Sequence, residues 1–325
     1  MTAPIVEGRA LVMEFGGPSL LAPRRRPVRA VAGVDIAIRR GEALGLVGES
    51  GSGKSTIGRL LLRLARPTAG QVLFDGQEIT AAPRPALRPL RRRMQMVFQD
   101  PFGSLNPRMA IGTAVAEGIA LHGLARGREA RERAVALLHR VGLAPGLHDR
   151  RPAALSGGQR QRVAIARALA VEPDFIVADE PVSALDVSVG AEILALLREL
   201  RSEHGLALLF VSHDLHAVRS LCDRVAVLYL GRVMEEGPAD AVLHTPRHPY
   251  TRALLSASPG HPGEARGPRI ILKGEIPSPA APPSGCVFRT RCPHALPACA
   301  EAVPALRAMG PDRRAACIRD EVMAA

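Results

Sequence analysis

Three features of the sequence predict an α/β fold with a mostly parallel sheet and a small irregular extension. Apolar strand-like runs alternate with amphipathic helical runs through most of the chain. One of those strands is joined to one of those helices by a Gly/Ser-rich turn. A stretch of helical character interrupts the alternation, and Pro and Gly crowd the chain after residue 256. Alternation of this kind is built from parallel strands whose crossover helices cover both faces of the sheet.

The elements follow in order. "EALGLVGESGSGKSTIGRLLLRLA" (42–65) is an apolar strand, the turn, then a helix with arginines opposite its apolar face. "QVLFDGQEI" (71–79) reads as two short strands about the Asp75-Gly76 turn. An arginine-rich stretch (84–93) precedes the strand "MQMVFQD". Residues 103–154 turn helical, as in "REARERAVALLHRVGL" (128–143), where Ala130, Ala134, Leu137, Leu138 and Val141 share a face. Alternation resumes with a helix (160–170), a strand (174–181), a helix (188–204), a strand (207–214) and a hairpin (224–237). The expected division is a domain over 1–255, with a helical subdomain at about 100–158, and an extension over 256–325 carrying four cysteines.

At 325 residues, 47% hydrophobic and 23% charged, the chain has enough length and apolar content for a real core. Its net charge of +12 invites a nucleic-acid reading, but nearly all of it is arginine, with lysine only at Lys54 and Lys273. Aromatics make up 3% of the chain, with no Trp, so a platform for stacking bases is poorly supplied. A solvated basic surface is the simpler reading, and no nucleic-acid partner is expected. The N-terminus lacks a basic segment followed by an apolar one, and no long uncharged apolar run occurs. The expectation is a soluble, cytoplasmic chain whose thiols stay reduced.

Gly48-Glu49-Ser50-Gly51-Ser52-Gly53-Lys54-Ser55-Thr56 fits G-x-x-x-x-G-K-S/T between strand and helix. Its glycines let backbone N–H groups converge on phosphate oxygens, and the helix adds its positive end. Lys54 can reach the β- and γ-phosphates and Ser55 can ligate Mg²⁺. "FIVADE" (175–180) delivers Asp179 and Glu180 to a strand end, one suited to Mg²⁺ and the other to orienting a water. "LSGGQRQR" (155–162) opens a helix at Ser156-Gly157-Gly158 and forms a second anion-friendly helix start. Two phosphate cradles serve one chain only if the second serves a partner's nucleotide.

With these motifs in this order, the chain resembles the ATPase subunit of an ABC transporter along nearly its whole length. Residues 48–56 resemble the Walker A motif of that family, 175–180 its Walker B, and Leu155, Ser156, Gly157, Gly158 and Gln159 its signature. Gln99 in "VFQDP" resembles the Q-loop glutamine, which contacts Mg²⁺ and the water. Ser183, Ala184, Leu185 and Asp186 resemble the D-loop, and His213 in "VSHD" the switch histidine at the γ-phosphate. Phe15 is the candidate for adenine stacking, set back from the Walker A by the insert at 16–30; core packing is its competing reading. The resemblance implies a P-loop NTPase (RecA-like) core with a mostly parallel sheet, an antiparallel β-subdomain and an inserted helical subdomain. ATP and Mg²⁺ would be held through Ser55, Gln99 and Asp179. It also implies a head-to-tail dimer with a second ATPase subunit, copy or paralogue, at the cytoplasmic face of the plasma membrane.

"FQDPFGSLNPRM" (98–109), "HPYTRALL" (248–255), "GEIPSP" and "PPSGC" resemble the peptide/nickel importer subgroup, most closely its oligopeptide and dipeptide members. That implies two permease subunits, an extracytoplasmic solute-binding protein, and docking of a permease near Leu105. Nickel-chelate or glutathione import remains the alternative, and a soluble ABC-type ATPase acting on nucleic acid a distant one. Cys286, Cys292, Cys299 and Cys317 are spaced neither in the close pairs usual for zinc nor as in ferredoxins. Zinc, a cluster and unligated thiols all remain open on spacing alone. The subgroup resemblance implies a [4Fe–4S] cluster, with Cys222 a buried bystander.

Overall fold

The computed structural model of the chain describes residues 3–17, 26–183, 185–258 and 268–324. The strands and helices run β1 (Pro4–Phe15), β2 (Val28–Arg39), β3 (Ala43–Val47), α1 (Lys54–Leu61), β4 (Ala69–Phe74), β5 (Gln77–Glu78), α2 (Arg84–Arg93) and β6 (Met94–Val97). Next come α3 (Pro101–Ser104), α4 (Ile111–Leu121), α5 (Gly127–Arg140), α6 (Gly157–Leu169), β7 (Phe175–Asp179), α7 (Val187–His204) and β8 (Ala207–Val211). The remainder is α8 (Leu215–Leu221), β9 (Arg224–Tyr229), β10 (Arg232–Pro238), α9 (Ala239–His244), α10 (Pro249–Ala257), β11 (Arg307–Ala308), β12 (Arg314–Ala315) and α11 (Asp320–Ala324). The chain divides into two compact units. The first is mainly residues 82–210; the second holds 6–38, 43–81 and 211–325.

In the first unit, strands β8, β7 and β6 lie side by side, with β6 and β7 parallel from Met94 opposite Phe175 to Val97 opposite Ala178. Every residue of β7 and of β8 is buried, as expected of strands covered on both faces. α4, α5 and α6 pack as a helical group, and α5 buries Ala130, Ala134 and Leu138 on the predicted face. The arginine-rich stretch forms helix α2, with Pro85 in its first turn, where a missing N–H costs nothing, and only Leu87 buried.

In the second unit, β3 pairs in parallel with β9, and β10, β12 and β11 continue outward as antiparallel strands. A separate four-stranded sheet has the order β2-β1-β4-β5. Its β4–β5 turn is the one predicted, with Asp75 and Gly76 both at positive φ (53° and 77°), which suits Gly at the second position and is tolerated by Asp at the first. The residues after 256 fall in this same unit, alongside the phosphate-loop residues. They are tied in by β12 on β10 and by a buried ion pair, Arg313 to Glu235 at 2.6 Å. Among the described residues no helix is long and apolar enough to cross a membrane.

Candidate functional site

In the second unit the strand β3 runs into the glycine-rich loop and then α1. Gly48 has φ 149° and a Cβ there would lie 2.2 Å from the Leu228 carbonyl oxygen; Gly53 has φ 103° and would meet the Ala30 carbonyl at 2.3 Å. A side chain at either position would collide with backbone, so the sequence pattern and the loop path require each other. Gly53, in the left-handed region, is the N-cap of α1, and no side chain caps that helix start. Lys54 is buried, and its ammonium folds back into the loop, donating to the Gly48 (2.8 Å) and Glu49 (2.9 Å) carbonyls. The loop is pinned from outside as well: Gly231 N–H donates to the Ser52 carbonyl, and Glu49 N–H donates to the Tyr250 hydroxyl. Phe15, at the end of β1, is 46% exposed, which counts against core packing. His213 is exposed between β8 and α8, whose start is capped by Asp214.

In the first unit Asp179 closes β7 and is buried, while Glu180 follows at φ 48°. Positive φ is uncommon for a residue with a side chain, and here it turns the chain sharply at the strand end. Gln99 Nε2 donates to Glu180 Oε2 at 2.9 Å, so two predicted site residues 81 positions apart are joined. Ser183 Oγ donates to the Glu180 carbonyl. The signature helix α6 begins with a complete capping box: Gln159 N–H donates to Ser156 Oγ and Ser156 N–H donates to the Gln159 side chain. Leu155 is buried beneath it. Ser156, Gly157, Gly158, Leu185 and Asp186 line one cleft of about 460 Å³, so signature and D-loop residues share a surface. Ala184 lies outside the described residues. Leu105 is itself only 4% exposed and belongs to the core, while its neighbours Asn106, Pro107 and Arg108 carry the exposed surface of the segment near which a permease is expected to dock.

The extension shows what sequence reading missed. Tyr229, Tyr250 and Phe288 form an aromatic cluster with ring centroids 4.8 to 5.4 Å apart. Arg291, next to Cys292, ion-pairs with Glu49 of the phosphate loop at 2.7 Å. His248 is wholly buried, accepts from Tyr250 N–H at Nδ1, and is pushed down to about 3 by desolvation. All five cysteines carry free thiols, and Cys222 packs in the core as expected. Burial pushes the Cys286 thiol up to about 11, and Cys317, Cys292 and Cys299 are near enough to add to the rise. Yet among the described residues no three His, Cys, Asp or Glu side chains come together as one metal ion would need. The expected [4Fe–4S] ligation by Cys286, Cys292, Cys299 and Cys317 therefore has no direct support from this geometry, and zinc has none either.

The chain matches the family model described as ABC transporter over residues 31–183, and that described as oligopeptide/dipeptide transporter, C-terminal region, over 234–299. A Brucella ovis protein bearing the name of a peptide import ATP-binding protein is 55% identical over 92% of this chain and 94% of its own. The oligopeptide transport ATP-binding protein AppF of Bacillus subtilis is 50% identical over 89% of both chains. Among solved structures, the cassette MJ0796, described as a dimer bound to ADP and Pi after hydrolysis, superposes with a TM-score of 0.67 at 32% identity. It covers 72% of this chain and 98% of its own. With the phosphate loop, the strand-end carboxylates and the signature helix all formed, and half of its residues shared with such relatives, the chain belongs to the ATP-binding subunits of ABC transporters.

Proposed function

We propose that the chain is the ATP-hydrolysing subunit of an importer for peptides or similar small solutes, working as one half of an ATPase pair beneath two permease subunits. The names of the relatives and the match of the C-terminal region support the peptide class. The observation that carries hydrolysis is the Gln99–Glu180 hydrogen bond, with Glu180 turned out of β7 just past the buried Asp179.

In this reading Phe15 stacks on adenine, and the loop from Gly48 to Thr56 wraps the phosphates of the same chain. Lys54 would neutralise the β- and γ-phosphates, and Ser55, Asp179 and Gln99 are the residues that would hold Mg²⁺, which supplies charge neutralisation when bound. Glu180 accepts a hydrogen bond from the attacking water and directs its oxygen to the γ-phosphorus, while His213 contacts the γ-phosphate. The water oxygen bonds to the γ-phosphorus as the bond to the bridging oxygen breaks, the water's proton passes to the phosphate product or to solvent, and ADP and phosphate leave. The signature residues Leu155 to Gln159, with Ser183, Leu185 and Asp186, serve the nucleotide held by the partner subunit. An extracytoplasmic binding protein would deliver the solute, and the chain would sit peripherally on the cytoplasmic face.

Glu180→Gln tests the assignment in the assembled transporter. ATP binding should survive while turnover falls by about a hundredfold or more, the usual worth of a positioned general base. Turnover near that of the unaltered protein would remove Glu180 from this role.

The four C-terminal cysteines are assigned to a [4Fe–4S] cluster as part of the same proposal. Backbone N–H groups approach each sulfur: Phe288 to Cys286, His294 to Cys292, Leu296 to Cys299 (3.4 Å) and Arg319 to Cys317 (3.4 Å). Donors aimed at sulfur suit thiolates, and a cluster spreads its ligands wider than one ion does. Anaerobically purified protein should be brown with about four irons per chain. A colourless preparation with one zinc, or with neither metal, would contradict it.

A further inference from the structure

Glu49 is an awkward residue to find inside a loop that must wrap a polyanion. It is the second residue of the phosphate loop, and its carboxylate carries the same sign as the triphosphate. Like charges so placed weaken binding unless one is neutralised. The structure supplies the neutralising group from far along the chain. Arg291, 242 residues later, places a guanidinium nitrogen 2.7 Å from Glu49 Oε2 and also reaches the Tyr229 hydroxyl at 3.5 Å. Arg291 is only 10% exposed and Glu49 25%, so solvent screens the pair less than it would a surface pair. Arg291 Nε is buried without a hydrogen-bond partner, and so the guanidinium depends on this contact for its satisfaction.

The other polar groups of Glu49 are held too. Its N–H donates to Tyr250 and its carbonyl accepts from Lys54. One residue thus joins the extension to the lysine that meets the phosphates. Arg291 stands directly beside Cys292, in a loop fixed by the Cys286 N–H to Cys299 carbonyl bond and by packing of Phe288 on both tyrosines. Nothing in the phosphate-loop motif itself calls for a basic residue there.

We propose that Arg291 is a positioning residue for the nucleotide site: it neutralises Glu49 and turns its carboxylate away from the triphosphate. The proposal rests on the phosphate-loop reading above. It separates from that reading because Lys54→Ala must weaken ATP binding about tenfold or more whether or not Arg291 matters.

The test is nucleotide titration of the purified full-length chain with fluorescent ATP and ADP analogues, at low and at physiological salt. Arg291→Gln should weaken ATP binding about fivefold, the worth of one partly buried ion pair. ADP, with one charge fewer, should lose less, and high salt should shrink both losses. Arg291→Lys should retain most of the affinity. Adding Glu49→Gln to Arg291→Gln should restore it, because the carboxylate that needed neutralising is gone. A merely structural role for Arg291 would affect ATP and ADP equally and would not be reversed at Glu49. Unchanged ATP affinity in Arg291→Gln, or a loss that Glu49→Gln fails to relieve, overturns the proposal. Should Arg291→Gln fail to fold, Arg291→Met, which keeps the apolar stem without the charge, replaces it. A loss larger for ATP than for ADP that shrinks at high salt supports the proposal, and equal losses or none overturn it.

Discussion

Two helix starts in this molecule look alike in sequence and are built differently. α1 begins at Gly53 in the left-handed region, without any side-chain cap, and its first residue, Lys54, folds its ammonium back over the loop. α6 begins at Ser156, whose hydroxyl and Gln159 close a full capping box. A capped start has already satisfied two of its orphan donors, whereas an uncapped start after glycines keeps its amides directed at a ligand. The contrast teaches that a Gly-rich helix start is not one device. The uncapped start of α1 suits the nucleotide proposed for its own chain. α6 has its own cap, with which the proposed phosphate from a partner would have to compete. A third start sharpens the point: α10 is capped by a buried imidazole, His248, whose Nδ1 accepts from Tyr250 while its other side meets the Ala316 carbonyl.

The largest expected effect concerns that third start. The His248 pKa is lowered to about 3 in the folded chain by desolvation, against an ordinary 6.5. The unfolded chain therefore binds the extra proton between these values. The stability His248 helps maintain is complete above about pH 6.5 and is lost as pH falls toward about 3, by up to ~1.4 kcal/mol per pH unit. Denaturant melts across that window should show the slope in the second unit, and His248→Asn, which keeps a cap acceptor but cannot titrate, should flatten it. An unchanged slope would mean other groups cause it.

Next in size is Lys54→Ala. A charge-assisted bond to phosphate is worth about 1.5–3 kcal/mol, so ATP affinity should fall roughly tenfold to a hundredfold. Isothermal titration would read it, and an intact affinity would break the contrast at its stronger end. Smallest is Ser156→Ala. Loss of the cap should cost about 1 kcal/mol in the stability of the first unit, seen by urea melts, because the box would no longer satisfy its donors. No measurable change would show that the cap is replaced by other partners.

Much of this was legible in the sequence because it is local. The phosphate loop, the Asp179-Glu180 strand end and the α6 start each occupy consecutive residues, and their backbone geometry follows from Gly, Ser and Asp chemistry. The β4–β5 turn at Asp75-Gly76 was read for the same reason. Helix α2 was not, since arginines and Pro89 obscure its single apolar contact at Leu87. The clamp on Glu49 was invisible for a different reason. Arg291, Tyr229 and Tyr250 are ordinary residues in their own segments and gain meaning only through partners some 200 residues away. The Glu235–Arg313 pair, with Glu235 fully buried in β10, is hidden in the same way.

The central claim is that α1 serves the nucleotide of its own chain and α6 that of a partner. Ser156→Arg, which fills the mouth of α6 with a bulky side chain, tests it most directly. The purified variant chain should bind ATP with a Kd within about twofold of the unaltered chain, while ATP turnover of the assembled transporter is lost. A fall in the variant's own ATP affinity as deep as that of Lys54→Ala would contradict the account.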